Sequence, residues 1–132
     1  MPRPTAPQQF KLGATSGGVT LLARQPSYFE WLEPPTLGRT DGGAVANGLP
    51  GLILVWRTLK PAEWDELIVH YSAAVAQAHY YYVAYWDETA SSGAGNYATV
   101  KCGLWLRPTF DADADSPNYR NVRLTLRALG MA

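Results

Sequence analysis

A prevailing charge is the first thing this sequence lacks. Lys plus Arg and Asp plus Glu number 11 each, so the formal net charge is zero. That balance removes the electrostatic footprint expected of a nucleic-acid or anionic-membrane binder. Charged residues of both signs are scarce as well, at 17%, against the usual quarter or so. A weakly charged, aromatic surface near neutrality tends to associate, which favours an assembly over a freely diffusing monomer. The one cysteine, Cys102, excludes an internal disulfide framework. It sits in the alternating run YATVKCGLWL and reads as a small buried apolar residue rather than a nucleophile. No run approaches the ~18 apolar residues of a membrane span. The start MPRPTAPQQF has no apolar signal core. The expectation is a chain made in a cytosol and kept there until a larger particle is released.

Catalytic constellations are missing too. His70 and His79 lie too far apart for an i, i+4 pair and have no third ligand nearby in sequence, so zinc is not expected. Asp65 and Glu66 are adjacent, so on a helix they point in different directions and make no carboxylate pair. The glycines at 42, 43, 48 and 51 lack a strand-to-helix setting and a P-loop lysine. No serine has a nucleophile-elbow context. DADADSPNYRNV offers Asp111, Asp113 and Asp115 at alternate positions, as a calcium loop would. Ser116 stands where that loop needs glycine, and Val122 where it needs the bidentate glutamate. A solvated acidic turn is the plainer reading, with a looser surface cation site as the alternative. The chain therefore reads as a non-enzyme without cofactor or resident metal.

What is present is β-patterning around one amphipathic helix. Residues 1–11 read as an extended arm. GGVTLLARQ reads as a first strand, and SYFEWLE as a second with Phe29 and Trp31 inward and Glu30 outward. Residues 34–51 hold three prolines and five glycines and read as one long loop, of a length that is usually functional or disordered. LILVWRTL is a continuous apolar strand, as where both faces are covered. It runs into a helix over 60–78, with Pro61 in the first turn and Glu63, Asp65 and Glu66 near the positive dipole end. Trp64, Leu67, Ile68, Tyr71 and Val75 form its apolar stripe.

Three strands should follow. The first, AHYYYVAYWD, puts four tyrosines and a tryptophan into ten positions, with Tyr80, Tyr82, Ala84 and Trp86 on one face and Tyr81, Val83 and Tyr85 on the other. The second alternates Ala98, Val100, Cys102, Leu104 and Leu106 against Tyr97, Thr99, Lys101 and Trp105. The third turns Val122, Leu124, Leu126 and Ala128 to the core and Arg123, Thr125 and Arg127 outward. The ring-rich run is either a ligand platform or packing surface. Rings on both faces and acidic neighbours at Asp87 and Glu88 favour packing, within the subunit and between subunits. A single domain spanning 1–132 accounts for the whole pattern.

This order of elements resembles the tail-tube (major tail) proteins of long-tailed bacteriophages and their relatives in contractile injection systems. The resemblance runs over residues 12–130 and lies in topology: LPGLILVWRTLKPAEWDELIVHYSAAV as the strand entering a flanking helix, then YYYVAYW, YATVKCGLWLRP and NVRLTLRAL as closing strands. It implies a small β-sandwich or half-barrel flanked by one helix. It further implies a homo-oligomer of stacked rings, hexameric ones, forming a tube in a virion tail assembled in the host cytoplasm. DNA would pass as non-specific cargo, other tail proteins would be partners, and no membrane would be involved. In RTDGGAVANG, the residues Arg39, Thr40, Asp41, Val45 and Asn47 would reach another subunit. Arg123 and Arg127, together on the polar face of the last strand, would meet solvent, a lumen or an acidic patch on a neighbour, and at an oligomer interface Asp111, Asp113 and Asp115 of an adjacent subunit are the candidates for that patch. The alternatives are a β-sandwich module that binds carbohydrate, and a minor tail or tail-tip adaptor protein of related fold.

Overall fold

The computed structural model describes residues 4–5, 9–33, 36–40, 43–46, 49–77, 81–86, 97–111 and 117–131, with backbone alone for 36–40, 43–46 and 131. In chain order the elements are β1 (Lys11–Gly13), β2 (Thr20–Leu21), β3 (Tyr28–Leu32), β4 (Thr36–Thr40), β5 (Gly43–Ala46), β6 (Gly51–Leu59), α1 (Pro61–Ala76), β7 (Tyr81–Trp86), β8 (Tyr97–Trp105), β9 (Thr109–Asp111) and β10 (Tyr119–Met131). The fold is mainly β with one helix, as the alternation predicts. The main sheet runs β2-β1-β7-β8-β10-β6-β3, with β9 also paired to β10. Every pairing is antiparallel.

The sheet is strongly curled, and ring contacts measure the curl. β3 lies four strand spacings from β7 along the sheet, about 19 Å if flat. Yet the Trp31 and Tyr85 rings of these strands sit 6.4 Å apart, and Phe29 meets Phe10 at 5.8 Å. The two edges are joined by residues 22–27, which fasten both. Ser27 N donates to Val55 O at 2.8 Å, and Trp56 Nε1 donates to Arg24 O at 2.8 Å. Gln25 does the work of a missing strand. Its Oε1 accepts from Phe10 N at 2.7 Å, and its Nε2 donates to Phe10 O at 3.1 Å. Inside this half-barrel lie Phe10, Leu12, Leu54, Trp56, Val83, Tyr85, Val100, Trp105, Leu124 and Leu126, all essentially buried.

α1 packs along this core. Glu63 Oε1 accepts from Lys60 N at 2.9 Å, which satisfies an amide left free at the helix start. Trp64, Leu67 and Ala74 are its buried residues, with Ile68 and Tyr71 half-buried beside them. The 3.6-residue period puts Val75 in the same stripe, but Val75 is 43% exposed and Ala74 takes its place.

Several boundaries differ from those the sequence predicts. The extended arm over 1–11 does not stay free of the fold: Thr5 N donates to Trp86 O at 3.0 Å, Phe10 is fully buried and Lys11 begins β1. The expected first strand shrinks to Thr20–Leu21, because β1 ahead of it takes the pairing with β7. The long loop over 34–51 contains a two-stranded ribbon, β4 paired antiparallel with β5. A fourth strand, β9, joins those after the helix.

The alternation also changes phase. Leu104 and Leu106, which the alternation places on one face with Cys102, are exposed, and Trp105 is buried with Cys102 instead. Ala128 is exposed and Leu129 is buried. Both changes have one cause. Ala128 adopts φ 57°, a left-handed conformation that rotates the chain so the next residue turns inward. Its partner on β8 is Gly103, where a Cβ would come within 3.1 Å of the Ala128 Cβ, so glycine lets the two strands bend together. Asn121, φ 49°, does the same lower on β10, so Tyr119 and Val122 both face inward.

Candidate functional site

Four features outside the core could carry function: the ribbon, the outer face of the sheet, the ring-rich strand, and a few buried polar groups. The ribbon sprouts where β3 and β6 part, beyond the Leu32–Gly51 pair. Thr36 to Thr40 run against Ala46 to Gly43, and neither strand hydrogen-bonds to the main sheet. An isolated two-stranded ribbon is marginal in water and gains stability from a surface to lie on. Arg39 and Thr40 fall in β4 and Val45 in β5, while Asp41 and Asn47 lie outside the described residues. The long apolar strands are not the free edges that a pairing subunit would offer. β6, β7, β8 and β10 all have strands on both sides, and among the described residues the sheet's edges are the short β2, β3 and β9.

Arg123 and Arg127 are both exposed on the outer face of β10, as the period of two predicts. Arg127 lies opposite Leu104, and Thr125 between them has its main-chain oxygen bonded to Leu106 N at 3.1 Å. With Leu104 and Leu106 outward, this part of the face mixes cationic and apolar groups. Arg123 has different neighbours. It stands between Val55 and Thr109, with Tyr28 beyond Val55. These residues, with Phe110, Asp111 and Asn121, line a groove of about 380 Å³. The acidic run holds the three aspartates Asp111, Asp113 and Asp115. Of these, Asp111 accepts from Asn121 Nδ2 at 2.8 Å, and the other two lie outside the described residues.

The aromatic run divides between two surfaces. Tyr81 and Tyr85 are buried in the half-barrel, Tyr81 edge-on to Trp105 at 4.8 Å. Tyr82 and Trp86 are half-buried on the outer side, where Trp86 meets Tyr97 edge-on at 5.6 Å and Lys11 Nζ caps the Tyr97 ring at 4.0 Å. Tyr80 lies outside the described residues. Most of these rings are thus packing material.

The polar groups that sequence reasoning weighed for chemistry occupy structural positions. Cys102 is buried, its Sγ near the main-chain oxygens of Leu104 and Arg127, and burial pushes its thiol up to about 12. At neutral pH such a thiol carries no nucleophilic thiolate. His70 Nδ1 lies 2.6 Å from the Tyr81 hydroxyl. Burial holds the imidazole below its ordinary range, with Glu66 partly opposing, and burial raises the Tyr81 phenol, so both shifts favour a neutral hydrogen-bonded pair. His79 lies outside the described residues. Among the described residues no cluster of three or more His, Cys, Asp or Glu could hold a metal. Nor is any described helix long and apolar enough to cross a membrane. A scan of the chain against protein-family models and a search of curated proteins find no match.

Proposed function

We propose that the chain is a non-enzymatic structural subunit that self-assembles into stacked rings forming the tail tube of a bacteriophage virion. The observation that carries this reading is the ribbon β4–β5, two hydrogen-bonded strands that pair with no other strand among the described residues. Its Gly- and Pro-rich sequence lets it stand away from the half-barrel, and its unpaired outer edges suit a neighbouring subunit. The Arg127, Leu104 and Leu106 strip of the outer face gives a second contact surface. A formal charge of zero is compatible with a lumen through which DNA passes without being gripped.

Deleting residues 39–48 tests the role of the ribbon. The half-barrel closes without these residues, so the variant should keep the parent's circular dichroism and cooperative melt. It should no longer form the parent's assemblies in negative-stain images. Normal rings or tubes from the deleted chain would show that the ribbon is not the assembling element.

A further inference from the structure

The groove beside Arg123 has the composition of a ligand site. Its floor is Val55, only 2% exposed. Two rings border it, Tyr28 at 38% and Phe110 at 44% exposed. Phe110 is held edge-on to Trp64 at 5.0 Å and to Tyr119 at 4.8 Å. The polar rim is fixed as well. The 2.8 Å bond from Asn121 orients the Asp111 carboxylate, and Asn121 itself is set by its left-handed backbone. Arg123 completes the rim with a fork of donors.

The charges decide the class of ligand. A carboxylate and a guanidinium share one small groove, so an anion meets Asp111 and a cation meets Arg123. A purely apolar guest would desolvate both while offering neither a polar partner. A neutral, polyhydroxylated ring satisfies all of them. Its C–H face lies on Tyr28 or Phe110, and its hydroxyls donate to Asp111 and accept from Arg123 and Asn121. The volume of about 380 Å³ falls at the small end of the ~300–1,000 Å³ of ligand sites. We propose that this groove binds a neutral saccharide of one or two rings. The inference goes beyond the assembly role and does not depend on it.

Saturation-transfer-difference NMR and calorimetric titration of the full chain test it. The probes are methyl glucoside, methyl galactoside, N-acetylglucosamine and cellobiose, with glucose 6-phosphate as the charged control. At least one neutral probe should bind, more tightly than the phosphate. Tyr28→Ala and Asp111→Ala should each weaken that binding about tenfold or more, with melting curves close to the parent's. Val69→Ala, on the exposed side of α1, should leave it unchanged. The proposal is overturned if no neutral probe binds at concentrations on the order of 10 mM. It is also overturned if binding survives both groove substitutions, or if glucose 6-phosphate binds best. Should either groove variant fail to fold, Arg123→Gln replaces it under the same criterion.

Discussion

At the scale of single residues, closure of the sheet depends on side chains standing in for backbone. Gln25 supplies to Phe10 both the acceptor and the donor that a neighbouring strand would supply. Removing that amide leaves the Phe10 N–H without its partner beside a fully buried ring. A buried donor left unsatisfied costs about 1–3 kcal/mol. Gln25→Ala should therefore lower unfolding free energy by that order in urea titrations, and a parent-like midpoint would show that the clamp contributes little. His70 gives the residue scale its pH dependence. Its folded pKa is depressed by burial, whereas an unfolded histidine titrates near ~6.5. Above that value both states hold a neutral ring and the group adds no pH dependence. As pH falls through it, the unfolded chain takes up the proton first, so stability declines on the acid side. His70→Gln should lose less stability than the parent between about pH 7 and pH 5. Equal slopes for the two proteins would remove His70 as the cause.

At the scale of elements, the helix and the strands obey their periods until the backbone leaves regular geometry. Trp64, stacked on Tyr119 at 4.7 Å, and Leu67 anchor α1. Truncating either to alanine should cost about 2–5 kcal/mol, whereas Val75→Ala, at an exposed position, should stay within about 0.5 kcal/mol. Thermal melts in which all three variants match would mean the helix is not held through this stripe. The same strictness explains what was legible in the sequence. Val122, Leu124 and Leu126 follow a clean period of two and were readable as core. Leu129 was not, because nothing in RLTLRALG announces that Ala128 will take a left-handed conformation opposite Gly103. β1 and β9, three residues each, are too short for periodicity to register. The ribbon was hidden by its glycines, which depress strand propensity without preventing a hairpin. The groove could not be read at all, since its walls come from β3, β6, β9 and β10.

At the scale of the whole molecule, the half-barrel satisfies its long strands internally, and among the described residues the free strand edges belong to the ribbon and to the short β2, β3 and β9. That division explains why single-chain stability and assembly should be separable properties. The core residues hold the subunit together, and the elements proposed for assembly contribute little to the core. The low charge density is compatible with the self-assembly proposed above. Light scattering of the unmodified chain, imaged in parallel by negative stain, tests self-assembly most directly. The account expects masses that are multiples of one ring, with annular particles and hollow tubes that lengthen with concentration. A single species with the mass of one 14.5 kDa chain at every concentration and salt tested, with featureless grids, would contradict it.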